Sequence, residues 1–191
     1  MNALRVVSET GAEPLDLAAA KIHLRVDGTD QDTLITSLIT AARRQAEHFT
    51  RRALVRKSMV LVRDDFPAGA LRLTVAPVVS VERVLYASAA GQTQELTGAQ
   101  LQVDTHAEPG RVAPAAGTCW PAVFDELGAV QVEFAAGYAD GAQPADIVAA
   151  IRLLLSHLYE HRESVIVGTS AMATPHGFES LLWPYRLFRE D

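Results

Sequence analysis

The residues best spaced for chemistry are His157-Leu158-Tyr159-Glu160-His161, an H-x-x-E-H sequence. Two histidines at i and i+4 on a helix can both reach one zinc ion, and the glutamate between them can act as general base, as in the inverted zinc-protease pattern. Such a site needs a third ligand, usually a carboxylate from a following helix. Only Glu163, Glu179, Glu190 and Asp191 follow the motif. Glu163 stands at i+2 from His161, about 200° round a helix, and Glu179 lies beyond a run of small and polar residues. The plainer reading is an exposed last helical turn, where histidine is favoured by the negative end of the helix dipole. A small zinc hydrolase using His157, Glu160 and His161 is the alternative; the reading adopted is no metal, no cofactor and no enzyme.

The remaining reactive side chains form no constellation. Asp27, Asp30 and Asp32 lack the Gly at the sixth and the Glu at the twelfth position of a calcium loop, and helix capping explains them better. Cys119 has no His or basic residue beside it in sequence, which predicts a buried or partly buried thiol and no nucleophile. Ser170 and His176 belong to no hydrolase motif, and the glycines are isolated turn residues with no phosphate-binding loop.

The elements that carry these residues explain more than the residues do. The stretch 144–165, PADIVAAIRLLLSHLYEHRESV, starts with Pro144 and Asp146 suited to a first helical turn. Ile147, Val148, Ile151, Leu154, Leu155, Leu158 and Tyr159 form one apolar stripe, and Ala149, Ala150 and Leu153 make the other side nearly as apolar. A helix apolar almost all round must be covered on both sides, by its own domain or by a neighbouring subunit. Its apolar runs fall far short of the roughly 20 residues a bilayer requires, so no membrane span is expected. Near the end, FESLLWPYRLF puts Phe178, Leu181, Leu182 and Tyr185 on one helical face before Pro184 ends or kinks the turn. Ala149, Ala150, Leu153, Phe178, Leu182 and Trp183 are the candidate subunit interface. The intervening IVGTSAMATPHG reads as a mobile loop.

Earlier in the chain, Asp16 caps a short helix, LAAAKIHLRV, that Asp27-Gly28 stops. Thr29 and Asp32 resemble a capping box for a long amphipathic helix with Leu34, Ile35, Leu38, Ile39, Ala42, Ala46 and Phe49 on its stripe. Arg43 and Glu47 lie opposite that stripe, as an i, i+4 pair worth about 0.3 kcal/mol. Leu4 to Val7 form a short strand or extended arm. After Ala53 come short runs rich in β-branched residues at 58–62, 71–75, 79–86, 93–96, 101–104 and 130–134, punctuated by Gly and Pro, which predicts antiparallel hairpins. The fold class is α+β: an N-terminal arm and helices (1–54), a β-rich module (55–138), and the central and C-terminal helices (139–191), as one compact domain with a β insertion.

Composition sets the limits. A chain of 191 residues buries about 70% of its unfolded surface without a staple. The single cysteine suits a reducing compartment, and the start, MNALRVVSETGAEP, lacks the basic and apolar regions of a signal peptide. The net charge is −6 with scattered basic residues, which disfavours tight nucleic-acid binding. An acidic wall still suits a passage through which DNA slides without sticking.

The stretch PLDLAAAKIHLRVDGTDQDTLITSLITAARRQAEHFTRRAL resembles the N-terminal signature of tailed-phage head–tail connector (head-completion, adaptor) proteins, carried by Leu24, Arg25, Val26, Asp27, Asp30 and Asp32. PVVSVERVLY, PGRVAPAAGTCWP and VEFAAGY are similar to the β-rich segment of one branch of these connectors. IRLLLSHLYEHRESV and GFESLLWPYR resemble its closing helices. Two positions depart from the pattern: Arg51 stands where a Gly often follows the long helix, and His161 where Asn is common. The resemblance implies a non-enzymatic phage or prophage virion protein. It would form a homo-oligomeric ring, often of twelve subunits, below the portal protein. That ring extends the channel for DNA without binding it specifically and helps a tail-completion protein attach. The implied location is the host cytoplasm during assembly and the head–tail junction afterwards. A generic oligomeric interaction module is the remaining alternative.

Overall fold

The computed structural model describes residues 2–161 and 176–188. The chain separates into two units, one formed by Met1–Gly11 with Val55–Tyr138 and one by Ala12–Leu54 with Ala139–Asp191. The N-terminal arm therefore belongs with the β-rich unit and not with the helices that follow it.

In the helical unit, α1 (Leu17–Leu24) begins where the Asp16 carboxylate accepts the Ala19 N–H at 2.6 Å. It ends earlier than Asp27-Gly28, because Arg25 turns left-handed at φ 56 and its N–H returns to Ile22 and Lys21. The second helix, α2 (Asp32–Thr50), starts without the capping box: its N-cap is Gln31, which makes no side-chain cap. Asp32 is held instead by Lys21 Nζ at 2.7 Å, so none of the three early aspartates caps α2. Ile35, Ile39, Ala42 and Ala46 are buried along its stripe. Helix α3 (Ala145–Glu160) buries Ile147, Ala150, Ile151, Leu154 and Leu155. Helix α4 (His176–Leu182) runs into a 3₁₀ turn at Trp183–Tyr185 containing Pro184. The segment after that turn is tied back by Leu187 N–H to Thr50 O at 2.9 Å, and the Arg52 Nε donates to Tyr185 O at 2.6 Å.

Arg43 lies inside this unit, not on its outer face. It is 2% exposed, with Nε on Glu13 at 2.8 Å and Nη1 on Glu47 at 2.9 Å. Glu47 also accepts the Leu54 N–H at 2.8 Å. The guanidinium is buried because two carboxylates and their backbone partners replace its water.

The β unit has eight strands: β1 (Asn2–Glu9), β2 (Lys57–Arg63), β3 (Leu71–Arg72), β4 (Val78–Ala87), β5 (Thr93–Leu96), β6 (Leu101–Asp104), β7 (Arg111–Pro114) and β8 (Val130–Ala136). Five form one sheet in the order β1-β2-β8-β4-β5 and three form a second, β3-β7-β6. All pairings are antiparallel. The central strand β8 shows why: Val130, Val132, Phe134 and Ala136 are fully buried on one face, and Gln131 alternates outward. The predicted strand at 71–75 shrinks to two residues, although Leu73 stays buried and its N–H donates to Gly110 O at 2.8 Å. Strand β7 falls in a stretch whose Pro109 and Gly110 read as punctuation. Gly137 closes the sheet at φ 114; a side chain there would collide with the Val55 carbonyl.

Candidate assembly surface

The six residues picked as a subunit interface divide once α4 is in place. Ala150, Phe178 and Leu182 are 0–1% exposed inside the helical unit, with the Phe178 ring edge-on to Phe49 at 6.2 Å. They are core residues and present nothing to a neighbour, because α4 packs on α3 and fills that side. Ala149 is half-buried, Leu153 is 41% exposed and Trp183 is 55% exposed. Leu153 borders α4 near Gly177, where an added Cβ would stand 3.3 Å from its Cδ1.

Around Trp183 the chain builds an aromatic surface that the interface residues only touched. The Arg186 guanidinium sits 5.3 Å from the Phe49 ring centroid, 5.4 Å from Trp183 and 5.8 Å from Phe188, and Phe188 is 66% exposed. Trp183 and Phe188 meet edge to face at 6.2 Å. Cation–π contact holds this arginine over the rings, and Trp and Arg together are the residues most enriched where interfaces concentrate their energy. Phe188 and Arg186 escaped the sequence reading; their signal was the density of aromatics in FESLLWPYRLF.

The histidine pair is geometrically close. The rings of His157 and His161 lie 4.6 Å apart, and His161 Nδ1 stands 3.0 Å from the His157 carbonyl oxygen. Glu160 is exposed, Glu179 is exposed on α4, and Glu163, Glu190 and Asp191 lie outside the described residues. Among the described residues no group of three His, Cys, Asp or Glu is placed to hold a metal ion. The loop read at 166–177 also lies outside them, apart from the start of α4.

In the β unit, Cys119 is exposed, contrary to the buried thiol predicted for it. It lies in an exposed loop, where it lines a cavity of about 250 Å³ with Tyr86, Leu96 and Trp120. Trp120 stacks flat on Phe66 at 4.3 Å and its indole N–H donates to Gly69 O at 2.8 Å. No histidine or carboxylate lines that cavity, so the thiol has no base there.

Among the described residues neither unit gathers a catalytic arrangement, and Trp183 and Phe188 form an exposed aromatic patch. Residues 14–103 match the family described as phage gp6-like head-tail connector protein. Among solved structures, a chain in the virion of a native gene transfer agent (GTA) particle is 27% identical, with 98% of this chain and 96% of that one covered and a TM-score of 0.78. Chains in the neck of an empty GTA particle computed with C6 symmetry and of a native one computed with C12 symmetry are each 26% identical. The first covers 98% of this chain and 97% of that one at a TM-score of 0.74; the second covers 97% of both at 0.72. The chain is thus similar to phage head–tail connectors over residues 14–103 and to these GTA chains from end to end. No curated protein matches it. The resemblance gives meaning to Arg51, the position where such connectors often carry Gly. It caps α2 in the left-handed conformation, φ 58, which glycine adopts without strain.

Proposed function

We propose that this protein is a structural virion component, a head–tail connector whose copies form a ring below the portal, extend the DNA channel and help the tail attach. The observation that carries the reading is end-to-end similarity, over 97–98% of the chain, to subunits of GTA necks. The fold in this reading is a helical core with strands β2 to β8 inserted between α2 and α3. Portal and tail-completion proteins are the partners, with Leu153, Trp183, Phe188 and Arg186 offered to one of them or to the next copy. DNA passes without specific binding, which suits a chain of net charge −6. Among the described residues no helix is long and apolar enough to cross a membrane. The protein works without catalysis, in the host cytoplasm during assembly and then at the head–tail junction.

Deleting the gene and imaging the resulting particles tests this. Heads that carry portals but no tails, with DNA lost or incompletely retained, are the expected outcome. Normally tailed, DNA-filled particles would overturn the reading.

A further inference from the structure

Strand β1 is the least covered regular element among the described residues. Every residue from Ala3 to Glu9 is exposed, including Leu4 at 39%, Val6 at 44% and Val7 at 60%. Among the described residues its only strand partner is β2, which leaves one backbone edge of β1 open; β5, at the far side of the same sheet, is open in the same way. Open edges rich in β-branched residues template pairing with another strand, and proteins normally blunt them with charge, proline or bulges. The bulge in β1 falls between Val6 and Ser8, which leaves Asn2–Val6 in regular register. That regular run is one residue longer than β5, Thr93–Leu96. Arg5 and Glu95 each stand one residue before the end of their run, and both are exposed.

The direction of the strands selects the partner. Four successive antiparallel pairings make β1 and β5 run the same way. In a cyclic assembly each copy is a small rotation of the last. A step in the C12 symmetry of one matched neck turns a subunit by about 30° about the ring axis. A β1 edge that met the β5 edge of the next copy would pair with the strands parallel, a head-to-tail contact of the kind that closes rings.

We propose that β1 of one copy pairs in parallel with β5 of the next, joining the five-stranded sheets around the ring; this rests on the ring reading above. The test uses rings assembled on the portal from a Cys119→Ser background carrying Arg5→Cys and Glu95→Cys, treated with a short bismaleimide. Covalent ladders reaching the full ring are expected from the double variant, and essentially none from either single variant. A second arm, Leu4→Lys with Val6→Lys, places charges at exposed positions; ring yield should fall at least tenfold with an unchanged melting temperature. Intact rings that do not cross-link, or dimers from Arg5→Cys alone, overturn the edge pairing and leave the ring standing. A chain that forms no ring with the portal overturns both.

Discussion

Helix α3 and strand β1 make opposite use of apolar residues. The helix is apolar almost all round, yet most of what it carries is buried within its own unit, Ile147, Ala150, Ile151, Leu154 and Leu155 among them. The strand is shorter and more polar, yet its residues from Ala3 to Glu9 are all exposed. Composition measures how much surface wants covering; topology decides whether the chain itself supplies the cover. Helix α4 returns to α3, whereas β1, the first strand, ends the sheet with nothing described beyond it.

Substitutions that separate interior from exposed positions break or sharpen this contrast. Phe178→Ala should cost about 3–5 kcal/mol, the usual range for a fully buried phenylalanine, read as a lowered denaturation midpoint. A loss under about 1 kcal/mol would mean that α4 does not seal α3. Arg43→Ala should cost a similar ~3–5 kcal/mol, since it leaves Glu13 and Glu47 facing each other without their cation. Denaturant unfolding of Arg43→Ala beside Glu13→Gln would show whether the effect belongs to the network.

Smaller effects follow at the surface. Arg51→Gly should stabilise the fold by about 0.5–1 kcal/mol, relief of left-handed strain outweighing glycine's greater unfolded-state freedom; a lower melting temperature would contradict this. Leu153→Asp and Trp183→Ala should change folding stability by no more than about 0.5 kcal/mol, while weakening retention on portal-bound rings. Unchanged retention in both would remove the aromatic surface from the interface. His157→Ala with His161→Ala should leave assembly and stability nearly unchanged, within about 0.5 kcal/mol per site, and elemental analysis of untagged protein should find no stoichiometric zinc.

The smallest effect is a pH dependence in the β unit. The backbone N–H of Ala107 first, then the Arg111 side chain, hold the Asp104 carboxyl below its ordinary value. Its contribution is present above the unfolded carboxylate range and fades as pH falls through the lowered folded value. Exchange of the Ala107 amide should therefore accelerate, relative to its intrinsic rate, on acidification below about pH 4. Asp104→Asn should flatten that response.

What the sequence shows about this fold depends on range. Asp16 caps α1 as read, because its partner Ala19 is three residues away. The stripe of α2 and the alternation of β8 are likewise local periodicities. The Arg43–Glu13 pair spans 30 residues, and nothing local distinguishes that arginine from an exposed one. Strand β7 is hidden by prolines that serve as turn signals elsewhere, and β1 gains its status as a strand only by pairing with β2. The candidate interface fails in the same way. Ala150, Phe178 and Leu182 are apolar at the right spacing, but the choice between covering by α4 and covering by a neighbour is made by packing. The resemblance to head–tail connectors was legible, because it rests on the order of whole segments and not on any single contact.

The ring reading is tested most directly by native mass spectrometry of the protein co-produced with its portal. A single complex with a fixed, symmetric number of copies on each portal ring is the expected result. Bare portal rings beside a protein that remains monomeric would contradict it.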